Sequence, residues 1–205
     1  MVSDRRWDEA YGRLGAAGAS WHQAVPAISL ELIDLASSAP DDPVIDVGGG
    51  TATLVDQLCA RGTHDVSVLD ISRTALDASA ARCGDAAAGV HWIRDDVLEW
   101  NPARRYGIWH DRAVFHFLVD PEHLTRYRQT LRAALRPGGH AVVGTFAPDG
   151  PDRCSGLPVS RYDVAGLAEA FGPEFTLVAS RREHHTTPSG TNQPFTWVVL
   201  RRDEP

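Results

Sequence analysis

Lysine is absent from the 205 residues; all twenty basic side chains are arginines. That absence removes a Schiff-base lysine, a pyridoxal phosphate anchor, a P-loop lysine and a lysine general base. The chain is also rich in Ala, Gly and Arg, so mutational bias accounts for the gap, but the chemical exclusions stand either way. Positive charge is in short supply: 20 basic against 27 acidic residues leave a net charge of -7. A broad nucleic-acid surface carries the opposite sign, so duplex DNA or RNA is not an expected partner. Cysteine is scarce, odd in number and scattered, at Cys59, Cys83 and Cys154. No CxxC pair or zinc spacing occurs, so no metal site is expected, and a reducing cytoplasm fits best. No apolar run approaches a membrane span. Met1 to Ala10 carries Asp4, Arg5, Arg6, Asp8 and Glu9 in place of a signal-peptide apolar core. The expectation is a soluble, cytoplasmic protein with no membrane partner.

What is present is globular in kind, with 43% hydrophobic and 23% charged residues. The length suits one domain. At the N-terminus, Trp7, Tyr11 and Leu14 fall on one helical face, followed by a loose stretch from Gly15 to Ser20. A second helix is predicted over Ile28 to Ala36, ended by Ser37-Ser38-Ala39-Pro40. From Pro43 strands and helices alternate. Strands are predicted at Pro43–Val47, Val66–Leu69, Val90–Ile93, Tyr106–His110 and His140–Thr145. Helices are predicted over Thr51–Arg61, from the cap Ser72 to Arg82, and from Asp120-Pro121 to Leu135. Such a βα series implies a parallel doubly wound sheet.

After Thr145 the pattern changes. Phe146 to Ser160 reads as a long loop, and Asp163 caps a short helix to Phe171. Phe175–Arg182 and Phe195–Arg201 read as strands too close for a helical crossover, hence antiparallel. The expected fold is a doubly wound α/β, Rossmann-like sheet of seven strands, five parallel plus a C-terminal antiparallel hairpin, with an N-terminal helical lid. A single domain over 1–205 is expected: a lid over 1–40, a cofactor-binding core over 43–145, and a substrate loop, helix and hairpin over 146–205.

The segment Val44-Ile45-Asp46-Val47-Gly48-Gly49-Gly50-Thr51 is a strand running into a glycine turn and a helix. Glycine lets backbone approach a ligand beside a helix N-terminus. Asp70 ends the next strand, 24 residues after Asp46, where a carboxylate can take two ribose hydroxyls. Loop plus acid point to a nucleoside-containing cofactor. A nicotinamide dinucleotide wants GxGxxG; here Thr53 replaces the third glycine, and Asp46 would repel a pyrophosphate while suiting a cationic amino-acid head.

Ile45-Asp46-Val47-Gly48-Gly49-Gly50-Thr51 resembles the first motif of class I S-adenosylmethionine-dependent methyltransferases. Val68-Leu69-Asp70-Ile71-Ser72 resembles the second, Asp95-Asp96-Val97 the third and Tyr106-Gly107-Ile108-Trp109-His110-Asp111 the fourth. Leu135-Arg136-Pro137-Gly138-Gly139 is similar to the signature before strand five. The resemblance covers about Pro43 to Thr145. It implies S-adenosylmethionine as cofactor, with S-adenosylhomocysteine as product. Gly48, Gly49 and Gly50 would meet the methionyl part, with Asp46 near its amino group. Asp70 would hold the ribose and Ile71 pack on the adenine. Asp96 and the Val97 N–H would read the adenine edge, and the His110 main chain would lie near the methionyl group. Two departures stand out: Ala52 replaces a third motif-one glycine, and Gly107 replaces an Asp common in the fourth motif.

Methyl transfer from a sulfonium is an in-line displacement that needs alignment, and a base only if the acceptor starts protonated. His110 with Asp111, at the end of strand four, is the candidate catalytic pair. His116, Cys154, Arg161, His184 and His185 are candidate pocket residues. The two adjacent tail histidines point to opposite faces, so they do not chelate one metal. Trp7, Tyr11 and Trp21 are candidates for a lid. A nearly bare catalytic domain with a small lidded pocket suits a small-molecule acceptor. A faint resemblance of the terminal segment to bacterial enzymes close to protein-lysine methyltransferases keeps a protein acceptor as the alternative, and a non-catalytic S-adenosylmethionine-binding module is the second.

Overall fold

The computed structural model describes residues 4–37 and 41–204, the side chains of 4 and 13–18 excepted. The Leu14 side chain of the expected apolar face and the helix stop at Ser38-Ala39-Pro40 therefore lie outside what is described.

Helix α1 spans Asp4–Gly18, so the backbone stays helical over the first part of the stretch expected to be loose and leaves the helix only at Ala19 and Ser20. α2 follows at Ala27–Ala36. The parallel strands are β1 (Val44–Val47), β2 (Val66–Asp70), β3 (Val90–Arg94), β4 (Tyr106–Arg112) and β5 (Leu135–Phe146). Between them run α3 (Leu54–Ala60), α4 (Arg73–Cys83) and α5 (Pro121–Ala134). A small hairpin, β6 (Arg153–Cys154) and β7 (Leu157–Pro158), interrupts the expected long loop. α6 (Val164–Phe171) leads into β8 (Phe175–Thr186) and β9 (Asn192–Arg202). The main sheet has seven strands in the order β3-β2-β1-β4-β5-β9-β8. β9 is antiparallel to β5 and β8 is antiparallel to β9. Two reversals make β8 run parallel to β4, so the far end of β8 reaches the carboxyl edge of the parallel strands.

The local causes are legible. β1 and β2 are buried at every position, as strands covered by helices on both faces must be. Asp120 caps α5 through Glu122 N–H with Pro121 at the first turn, Ser72 caps α4 through Ala75 N–H, and Asp163 caps α6 through Gly166 N–H. One apolar layer packs α2 and α3 on the sheet through Leu30, Ile33, Leu54 and Leu58. The other packs α5 and α6 through Tyr127, Leu131, Leu167 and Phe171.

Three boundaries move. α3 begins at Leu54, not Thr51, because the chain first turns back at Gly48 and Gly50, whose φ values are +65° and +50°. β5 begins at Leu135, not His140. Its pairing jumps from Tyr106–Leu135 to Ile108–His140, and Pro137-Gly138-Gly139 forms the irregularity within the strand. β8 continues through Thr186, so Glu183, His184 and His185 are ladder residues and not a loop.

Candidate active site

A cavity of about 420 Å³ opens at the carboxyl edge of the parallel strands, beneath α1. Its lining includes Gly48, Asp70, Ile71, Asp96 and Val97 together with Trp7, Tyr11, Trp21, Arg112, Phe117 and Cys154. A smaller cavity of about 40 Å³ adjoins the glycine turn and is bordered by Gln23, Ser29, Asp46, Gly49, His110 and Arg112.

The lid is tied down by specific bonds. Asp8 on α1 accepts from Ser72 Oγ at 2.6 Å and from Thr74 N–H at 3.1 Å, which docks α1 on the start of α4. Arg6 donates to Ser155 O, joining α1 to the β6–β7 turn. Trp7 packs edge-on against Trp21 and Phe117, at 6.2 and 5.6 Å between ring centroids. Tyr11 lies directly over the glycine turn: a Cβ at Gly50 would sit 2.2 Å from the Tyr11 hydroxyl oxygen. The connection after α1 is held as well. Ser20 O accepts from His185 Nε2 at 2.7 Å, Trp21 O from Arg112 Nη1 at 2.9 Å, and Gln23 O from Thr53 Oγ1 at 2.8 Å.

Asp70 is 7% exposed and its Oδ1 accepts from Ser72 N–H at 2.7 Å. Burial, reinforced by Asp46 and Asp8, pushes its carboxyl up to about 7 despite hydrogen bonds from Ser72 and Gly50. Asp96 Oδ1 accepts from Leu98 N–H, which fixes the turn after β3.

His110 is buried, and both ring nitrogens are engaged. Nδ1 lies 2.7 Å from Asp46 Oδ1 and Nε2 lies 3.0 Å from Ser29 Oγ. The carboxylate beside His110 is therefore Asp46 on β1, and the expected support from Asp111 is corrected. Successive strand residues face opposite sides of the sheet. Asp111 turns to the α5 face, where Oδ2 accepts from Tyr127 OH at 2.5 Å and Oδ1 from Val114 N–H at 2.9 Å. Burial pushes Asp111 up to about 6. His110 borders the small cavity and not the large one, so it does not face an acceptor there.

The other candidates are dispersed. His116 is fully buried between Phe117 and Phe146, and both ring nitrogens lack a partner among the described residues. Burial and Arg112 bring its imidazole down to about 3, so it is neutral. Cys154 borders the large cavity, but burial pushes its thiol up to about 11, which leaves no thiolate at neutral pH. Arg161 is exposed and donates to Gly150 O. His185 is buried and His184 exposed; neither borders a described cavity. The expectation that His110, His116 and a tail histidine share one pocket is thus corrected. The reason is the sheet itself, which puts His110 against α2, and the lid connection, which consumes His185.

The sequence reading passed over Arg112, Ser29, Gln23 and Glu183. Glu183 Oε1 accepts from Gln23 Nε2 at 2.6 Å and Oε2 from Trp197 Nε1 at 2.8 Å. Arg112 carried one usable signal, a basic residue at the carboxyl end of a parallel strand beside the glycine turn. Gly107, where the fourth motif commonly has Asp, is filled by the Asp42 carboxylate: a Cβ there would lie 2.8 Å from Asp42 Oδ1.

A sheet in this order, with a glycine turn after its first strand and an acid ending its second, is the fold of the class I S-adenosylmethionine-dependent methyltransferases. Residues 44–139, just under half of the chain, match the family described as Methyltransferase domain. The fold is that of the N-methyltransferase NodS from Bradyrhizobium japonicum WM9, solved in complex with S-adenosylhomocysteine. The TM-score is 0.74, over 97% of this chain and 99% of that chain, at 16% identity. The Burkholderia thailandensis 1,6-didemethyltoxoflavin-N1-methyltransferase superposes with a TM-score of 0.68 over 98% of this chain and 83% of that chain, at 21% identity. Malonyl-[acyl-carrier protein] O-methyltransferase 1 of Ilyobacter polytropus is 26% identical over 104 residues, half of this chain. The match spans 37% of that protein's own length.

Proposed function

We propose that the protein transfers the methyl group of S-adenosylmethionine to a small-molecule acceptor held in the 420 Å³ cavity. The observation that carries this reading is the lining of that cavity, which joins the motif residues to a lid of Trp7, Tyr11 and Trp21 and to Arg112. Its size falls within the range of small-ligand sites, about 300–1,000 Å³. α1 covers the cavity, which suits a molecule that enters whole better than a folded protein surface.

The residues fit the cofactor. Asp70 is a buried carboxylate with one oxygen on Ser72 N–H, and it gains from hydroxyl donors such as those of a ribose. Asp96 and Val97 border the same cavity, and the Asp96 carboxylate and Val97 N–H suit the adenine edge, with Ile71 for its face. Asp46, held by His110, borders the small cavity beside Gly48 and Gly49 and suits an ammonium group. The cofactor supplies a methyl group activated by a sulfonium. The chain aligns the acceptor with that methyl and excludes water beneath the aromatic lid; alignment alone supplies much of such a rate. With both His110 nitrogens engaged, the acceptor's nucleophile is one that needs no proton taken by that imidazole.

Calorimetry tests the cofactor: S-adenosylhomocysteine binds and NADH does not. A methyl-label assay on a cell extract, separated into small-molecule, protein and RNA fractions, tests the acceptor. Label in the small-molecule fraction is the expected result. Label in the protein fraction would overturn this reading in favour of a protein methyltransferase, and no label in any fraction would favour a binding module.

A further inference from the structure

We infer that the acceptor is anionic, an apolar ring-bearing carboxylate or its equivalent, and that Arg112 is the residue that selects it. The inference rests on the methyltransferase reading of the cavity and adds the chemical class of what enters it.

Arg112 ends β4 and borders both cavities. Its Nη1 donates to Trp21 O, while Nε and Nη2 are buried without a partner among the described residues. Those two nitrogens form one side of the guanidinium fork, the pair that meets a carboxylate through two parallel hydrogen bonds. Leaving a buried cation unpaired is costly, and a protein retains one where something else completes it.

Among the described residues, no neighbouring side chain does so through a hydrogen bond. Glu183 is the carboxylate whose field most supports the Arg112 charge, but both its oxygens are taken by Gln23 and Trp197. Asp46 is engaged by His110. Cys154 is a neutral thiol and His116 a neutral imidazole. Arg112 shares the small cavity with Asp46, Gly48 and Gly49, but its other surroundings lie away from the cofactor motifs. Its guanidinium lies 4.7 Å from the Phe195 ring on β9, among Cys154, His116 and Glu183. β9, β6 and β8 carry none of the cofactor motifs, whose acids lie at the ends of β2 and β3. Trp7, Trp21 and Phe117 supply the apolar wall that a ring would pack against.

The test uses benzoate and its neutral isostere benzamide on the full chain saturated with S-adenosylhomocysteine. Wild type should bind benzoate at least about tenfold more tightly than benzamide, and Arg112→Met should erase that preference. Arg112→Lys keeps the charge but not the fork, and should also lose most of the preference; it carries the test if Arg112→Met does not fold. The proposal is overturned if wild type shows no preference for benzoate, or if both variants keep it. It is also overturned if the variants lose S-adenosylhomocysteine while still binding 5′-methylthioadenosine, since Arg112 then serves the cofactor's own carboxylate. Failure of wild type to bind S-adenosylhomocysteine would instead sink the methyltransferase reading.

Discussion

His110 Nδ1 lies 2.7 Å from Asp46 Oδ1, across a register in which the two residues are direct partners on β4 and β1. The carboxylate that precedes the glycine turn is thereby held by the neighbouring strand. Ser29 on α2 closes the set from the other ring nitrogen. This arrangement turns the residue best suited by sequence to act as a base into one that positions a carboxylate.

Replacing His110 by Ala should leave Asp46 buried without its partner and cost about 1–3 kcal/mol of stability, read by chemical denaturation. S-adenosylhomocysteine affinity should fall with it, because Asp46 loses its orientation. Unchanged stability with a lost neutral limb in the pH–rate profile would restore His110 as the catalytic base.

Asp70 gives a pH dependence. Its carboxyl is at about 7 in the fold against an ordinary 3.8, so between those values the folded state holds a proton the unfolded chain has released. Its contribution to ligand-free stability is present below pH 3.8 and is lost as pH rises to about 7. Ribose hydroxyls favour the ionised form, so S-adenosylhomocysteine should bind up to about tenfold more tightly at pH 8 than at pH 6, with release of a proton. Calorimetry in buffers of different ionisation enthalpy measures both. Affinity that is flat across this range would remove Asp70 from the ribose role.

Asp70→Asn mimics the protonated acid permanently. It should weaken S-adenosylhomocysteine by about 1–3 kcal/mol and melt higher than wild type at pH 8 when ligand-free. A variant that binds normally would contradict the assignment.

Gly50→Ala should abolish measurable cofactor binding. The φ of +50° strains any L side chain, at a cost of order 1–3 kcal/mol, and the new methyl collides with the Tyr11 hydroxyl. Titration with S-adenosylhomocysteine decides this, and near-normal affinity would show that α1 lifts away from the turn.

Tyr127→Phe separates packing from function. The hydroxyl accepts from Trp109 Nε1 at 2.9 Å and donates to Asp111, so its loss should cost about 1–3 kcal/mol of stability. Cofactor affinity should stay within about twofold, because none of these three residues borders the large cavity. A marked loss of affinity would tie the α5 face to the site.

Much of this molecule is written locally. The apolar runs of β1 and β2, the caps Ser72, Asp120 and Asp163, and the glycines at 48 and 50 each act on their own neighbours, so their elements and the sheet class follow from the sequence. So do the acids at the strand ends, Asp46 and Asp70, because a strand and a turn are enough to put them at the carboxyl edge. Alternation told which residues of β8 face apart, and the structure has His185 buried and His184 exposed. What required the tertiary structure is which side chains meet across elements. His110 pairs with Asp46 because β1 and β4 are neighbours in register, Asp111 turns to Tyr127 because α5 packs on the other face, and His185 is consumed by the lid connection. Periodicity reports the side of its own strand that a residue occupies. The partner waiting on that side is set by sheet order and long-range packing, and the unpaired nitrogens of Arg112 are visible only once every neighbour that failed to pair with them is in place.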